Sequence, residues 1–146
     1  MVLSMFGTPQ EDPVGGVGYS CAGLDNGNEE LDGENGSDKG TCNGLGAGDV
    51  MVITMNSDNP DLVALVALSD LTEGFELYMT DNAWTGSSFR SNEGTLKLTI
   101  PKGGIKAGSV FGYGDVLLDY AKDWDVVSGS MALSASGDSV LLYCIS

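Results

Sequence analysis

The chain has 146 residues with 21 Asp and Glu against 6 Lys and Arg, a formal charge of −15, and no histidine. Without histidine there is no Ser-His-Asp or Cys-His nucleophile and no His-ligated zinc, copper or iron site. So acidic a surface also argues against binding nucleic acid through its backbone, where basic side chains must replace the phosphate counterions, and against docking on anionic lipid.

Composition divides the chain near Gly48. Residues 1–48 carry 12 of the 22 glycines and eight acids against one base, Lys39. Few large apolar side chains interrupt them, too few to offset a backbone ordering cost of about 1–2 kcal/mol per residue. Residues 1–47 therefore read as an acidic, glycine-rich leader, largely loop or disordered, with one short apolar patch from Val2 to Phe6. That patch lacks the basic flank and the length of a secretory signal. Nor does any stretch reach the roughly 20 apolar residues of a spanning helix, so no membrane insertion is expected.

Cys21 and Cys42 flank the acidic stretch, and Cys144 ends the last apolar run. Two readings stand for the first pair: a bridge across the leader, worth about 3 kcal/mol in the loop-entropy account, or two unpaired thiols. Cys144 reads as a small buried hydrophobe. Asp25 to Asp38 (DNGNEELDGENGSD) departs from the EF-hand spacing and reads as solvated linker, and Asn35-Gly36-Ser37 is a glycosylation sequon.

From Asp49 the pattern becomes β. Val50 to Met55 is a β-branched run ended by the turn cluster Asn56-Ser57-Asp58-Asn59-Pro60-Asp61. Leu62 to Leu68 follows as a buried strand. Phe75 to Thr80 alternates, with Phe75, Leu77 and Met79 on one face, and Gly94 to Ile100 places Leu96, Leu98 and Ile100 inward. Ser109 to Phe111, Met131 to Leu133 and Ser139 to Cys144 complete the strand-like runs. Asp115 to Val127 is a less regular stretch, within which Asp115 to Trp124 reads as a connecting loop or one helical turn. Short strands with recurring glycine turns and no sustained helical period predict an all-β, antiparallel sandwich over residues 48–146.

Three segments carry a family resemblance: GDVMVITMNSDNPDLVALVALSDLTEGFELYMTDNAW (Gly48 to Trp84), FRSNEGTLKLTIPKGGIKAGSVF (Phe89 to Phe111) and LSASGDSVLLY (Leu133 to Tyr143). In composition and order they resemble a lamin-tail-like, immunoglobulin-like β-sandwich module of secreted and surface proteins in bacteria and microalgae. The resemblance implies about seven or eight strands and a non-catalytic module appended to other domains, extracellular or at the cell surface. This chain shows no partner domain and ends just after a strand, where such modules usually continue.

Two groups of residues are candidates for chemistry. Asp58, Asp61 and Asp81, with Asp49 and the neighbouring asparagines, are candidate calcium ligands, since calcium takes six to eight oxygens. The same residues also make turns by hydrogen-bonding their own backbone. Trp84, Phe89 and Arg90 bracket Thr85-Gly86-Ser87-Ser88 and are candidate binding residues for a sugar ring or a partner's backbone. The competing reading plugs the end of the core with the two aromatics; Trp124, between Asp123 and Asp125, poses the same choice. No catalytic residue stands out and no cofactor is required.

The expected function is a non-catalytic binding or structural module for adhesion, spacing or matrix assembly, with calcium as an optional ion. Its partner would be a protein or a glycan. A first alternative is a self-assembling wall or shell protein whose sheet edges pair between chains, against the repulsion of its charge. A second is a carboxylate-based enzyme acting on glycans.

Overall fold

The computed structural model describes residues 2–7 and 45–145. They form eight strands and no helix: β1 (Val2–Gly7), β2 (Val50–Asn56), β3 (Leu62–Ala67), β4 (Glu76–Thr80), β5 (Thr95–Thr99), β6 (Val110–Tyr113), β7 (Trp124–Ser128) and β8 (Ser139–Tyr143). One sheet has five strands in the order β1-β8-β4-β5-β7, and the other three in the order β2-β3-β6. Every strand pair is antiparallel. The protein is an all-β sandwich, as the short alternating runs predict.

The core lies between the sheets. Val52, Val63 and Leu65 from the smaller sheet meet Leu77, Met79, Leu96, Leu98, Val140 and Leu142 from the larger one. The residues expected inward along β4 and β5, Leu77, Met79, Leu96, Leu98 and Ile100, are buried and Phe75 packs against them, although Tyr78 and Thr80 of the opposite parity are buried as well. Leu45 also belongs to this core, so the sandwich begins a few residues before the compositional boundary at Gly48.

Three segments differ from the sequence reading. Val2 to Gly7 pairs along β8 as an edge strand, although it lies in the segment read as leader. Asp115 to Val127 divides into a loop and β7, and Trp124 enters the core, where its indole N–H donates to the Gly112 carbonyl at 2.8 Å. Met131 to Leu133 is not a strand, although Met131 and Leu133 point inward as alternation requires. The backbone N–H groups of Ala132 and Leu133 are taken up by aspartate side chains instead of a neighbouring strand.

Candidate functional site

β4 ends on Thr80, and the chain reaches β5 through residues 81–94. Polar side chains follow the strand directly, and the fold buries them: Thr80, Asp81, Asn82 and Thr95 are all buried. Each is therefore bonded. The Thr80 hydroxyl donates to the Gly94 carbonyl, and the Thr95 hydroxyl donates to Thr80 Oγ1 at 3.0 Å. The Asn82 side-chain amide donates to the Gly94 carbonyl at 3.0 Å, while its oxygen accepts from Glu93 N–H at 3.0 Å. Among the described residues, no buried side-chain nitrogen or oxygen lacks a partner.

Asp81, 1% exposed, is the centre of this arrangement. Its Oδ1 accepts from Gly94 N–H at 2.6 Å and its Oδ2 from Ala132 N–H at 2.9 Å. Asp61 accepts from the next residue of the same segment, Leu133 N–H, at 2.9 Å. The two aspartates thus stand in for the missing strand neighbour of residues 131–133. Gly94 permits this approach, because a Cβ there would lie 2.2 Å from the Met131 nitrogen.

Of the candidate calcium ligands, Asp61 and Asp81 are brought to one segment, each as a backbone clamp. Asp58 is exposed in the turn after β2, and Asn56 organises that turn. The Asn56 amide donates to the carbonyls of Asp58 (2.7 Å) and Pro60 (3.1 Å), and its oxygen accepts from Asp58 N–H at 3.1 Å. Asp49 accepts from Gly46 N–H at 2.6 Å. Among the described residues, no three His, Cys, Asp or Glu side chains gather as a metal would need. Each of these contacts is the turn-and-backbone chemistry that Asp and Asn perform without an ion.

The aromatic candidates are brought together. Residues 83–90 form a tight hairpin: Arg90 N–H donates to the Ala83 carbonyl at 3.0 Å and Thr85 N–H to the Ser88 carbonyl at 2.9 Å. Gly86, at φ +97°, supplies the left-handed turn. Trp84 and Phe89 face each other across it, ring centroids 5.0 Å apart and edge to face. Phe89 continues onto Tyr143 at 4.9 Å, and Tyr143 stacks on Tyr78 at 5.2 Å.

This row of four rings is not part of the cluster between the sheets, although Tyr78 is itself buried. Tyr78 alternates with Leu77 and Met79, Tyr143 follows Leu142, and those neighbours point inward. The rings therefore occupy the outer face of the five-stranded sheet, where Tyr78 and Tyr143 are directly opposed across β4 and β8. Trp84 and Phe89 are not the core plug; Trp124 fills that part. Sequence reasoning does not single out Tyr78 and Tyr143. Their outward parity is legible along each strand, but their pairing across 65 positions of chain is not.

The charged surround is defined. Tyr78 donates to Glu76 at 3.0 Å and Lys97 pairs with Glu76 at 2.7 Å. The Lys97 bond, followed by that of Tyr78, holds the Glu76 carboxyl below its ordinary value. Burial pushes both tyrosine hydroxyls upward. Half-buried Glu93 is raised, first by burial and then by the charges of Asp138 and Asp81, with Arg90 acting the other way. Arg90 is exposed beside the hairpin.

Cys144 is 3% exposed and disulfide-bonded, so it is not an unpaired buried hydrophobe. Its sulfur lies 3.9 Å from the Leu45 carbonyl oxygen. Cys21, Cys42, the acidic stretch 25–38 and the sequon at Asn35 lie outside the described residues. No helix among the described residues is long and apolar enough to cross a membrane.

The fold and this face define the chain as an all-β sandwich with an aromatic row on one outer sheet face. In comparisons with known proteins, no family model, no curated protein and no solved structure matches it.

Proposed function

We propose that this chain is a non-catalytic binding or structural module of an extracellular or surface protein, an immunoglobulin-like sandwich of the lamin-tail type. The observation that carries this reading is the row Trp84–Phe89–Tyr143–Tyr78, which ends on a tight exposed hairpin beside Arg90. Trp84, Phe89 and Tyr143 are half-buried and offer apolar faces to a sugar ring or a protein backbone, while buried Tyr78 backs Tyr143 from beneath with its hydroxyl on Glu76. The disulfide at Cys144 supports an oxidising, extracytoplasmic setting. Asp81, with both oxygens given to backbone N–H groups, supports a structural part for the carboxylates rather than acid catalysis.

The test is titration of soluble oligosaccharides and of candidate matrix proteins, followed by tryptophan fluorescence, on the parent and on Trp84→Ala. Saturable binding that falls at least tenfold in the variant, while it still unfolds cooperatively well above the assay temperature, supports the reading. Binding that survives Trp84→Ala and Phe89→Ala places the contact elsewhere and removes this face from the argument. Calcium is tested separately, by melting in EDTA and then in millimolar calcium with magnesium as control. Ligand at a hundredfold excess over its dissociation constant would add about 2.7 kcal/mol.

Self-assembly is a second reading with its own observation. β7 is an edge strand carrying exposed Val126 (67%) and Val127 (52%). Val127 is the bulged residue against β5 and Asp125 places a charge on the edge, both of which discourage edge pairing. Light scattering across protein and salt concentration decides it: constant monomer mass excludes assembly through this edge.

A further inference from the structure

We infer that the β6–β7 flank is a docking surface separate from the ring row, and that it seats a basic amphipathic partner: a protein segment whose apolar stripe is rimmed by lysine and arginine. Of the eight large apolar side chains that the described residues leave exposed, five lie between residues 110 and 127: Val110, Val116, Leu117, Val126 and Val127. β6 and β7 are edge strands of the two sheets, and the Trp124 bond to the Gly112 carbonyl joins them on this flank. Single apolar side chains on a surface are ordinary, whereas a group of them with a polar rim marks a contact.

The chain between the two strands is held so that its apolar tip stays out. Asp115 Oδ1 accepts from Leu117 N–H at 2.8 Å, and Leu118 N–H donates to the Asp115 carbonyl at 3.0 Å. Further on, Gly112 N–H donates to the Asp119 carbonyl at 3.1 Å and Asp123 N–H to the Tyr120 carbonyl at 3.0 Å. Tyr120 takes φ +59°, a region that a bulky side chain rarely enters, and packs against the core. Leu118 turns its side chain against Gly112, but Val116 and Leu117 stay 72% and 88% exposed. A loop already ordered loses little freedom on binding, so its apolar contacts go into affinity. Charge then selects the occupant. Within residues 110–127, Asp115, Asp119, Asp123 and Asp125 stand against Lys122 alone. The whole chain has 21 acids against 6 bases, so another copy would bring like charge to this rim, whereas a basic partner complements it. Strand addition is blunted on both edges: Asp119 pairs along the outer edge of β6, and the bulge at Val127 interrupts β7. The contact is therefore made by side chains.

The test uses the full chain and two synthetic peptides of leucine and lysine. One lines its leucines along a helical stripe, and the other scrambles the same residues. In calorimetry at low salt, the parent should bind the striped peptide at least tenfold more tightly than the scrambled one. Val116→Ser/Leu117→Ser should weaken the striped peptide at least tenfold, with a melting midpoint like the parent's because both side chains are already in water. Asp119→Asn/Asp123→Asn should weaken it severalfold, and added salt should act the same way. Trp84→Ala should bind as the parent does, which separates this flank from the ring row. Equal binding of the two peptides, or a serine variant that binds the striped peptide unchanged, overturns the inference. A parent dimer that the serine variant dissolves, seen by sedimentation, also overturns it by making a second copy the occupant.

Discussion

Replacing Asp81 by asparagine tests the account of how residues 131–133 are held. In the parent, two backbone N–H groups, Gly94 at 2.6 Å and Ala132 at 2.9 Å, point at the two carboxylate oxygens of a residue 1% exposed. Asparagine keeps one acceptor but turns its NH2 toward the other N–H. One charge-assisted bond is lost, about 1.5–3 kcal/mol, and the survivor is reduced to neutral strength. Removing the charge also relieves repulsion on Glu93. That gain concerns a half-exposed, solvent-screened group and amounts to a few tenths of a kcal/mol. The loss wins, at about 3 kcal/mol. With a urea m value of about 1–3 kcal/mol/M, the unfolding midpoint should fall by about 1–3 M. Asp61→Asn, acting at Leu133 N–H alone, should cost less, and the double variant should show coupling because both aspartates grip one segment. An Asp81→Asn unfolding free energy within about 0.5 kcal/mol of the parent would refute the clamp. So would a calcium-induced rise in the parent that the variant abolishes, for the carboxylate would then be a ligand.

The other predictions concern charge and the core. Because 21 acids face 6 bases, raising sodium chloride from 0.02 to about 0.5 M should raise the melting midpoint by screening self-repulsion, and a falling midpoint would contradict this. Glu93 has its carboxyl raised by burial and by Asp138 and Asp81, so the folded state prefers it protonated. Its ionisation therefore weakens folding as pH rises above the ordinary glutamate value, and Glu93→Gln should be stabilising at pH 7, by no more than about 0.5 kcal/mol, and neutral near pH 3. A variant less stable than the parent at pH 7 would reverse that sign. Glu76 runs the other way: its lowered carboxyl supports folding above the ordinary glutamate value and loses that support as pH falls through the folded-state value. Trp124→Phe removes the indole bond to the buried Gly112 carbonyl and should cost about 1–3 kcal/mol in chemical denaturation, whereas Trp84→Ala, which loses the edge-to-face contact with Phe89 on the outer face, should cost about 0.5–1.5 kcal/mol.

Period-two alternation is a local property and is legible in the amino-acid sequence itself. Phe75-Glu76-Leu77-Tyr78-Met79 and Leu96-Lys97-Leu98 show which side chains face inward without reference to a partner strand, because successive Cβ atoms point to opposite faces. The turn character of Asn56 to Asp61 and the all-β class follow from the same local chemistry. The strand neighbours do not. β8 lies between β1 and β4, and that placement alone brings Tyr143 over Tyr78 and under Phe89. Nothing within a few residues of Trp84 and Trp124 separates an outer-face ring from a core one; the difference lies in which sheet face each meets. Met131 to Leu133 has the alternation of a strand, yet its N–H groups meet Asp61 and Asp81, residues 72 and 51 positions earlier in the chain. Alternation sets the face of each side chain, while long-range backbone pairing sets its neighbours, and only the folded chain brings those neighbours together.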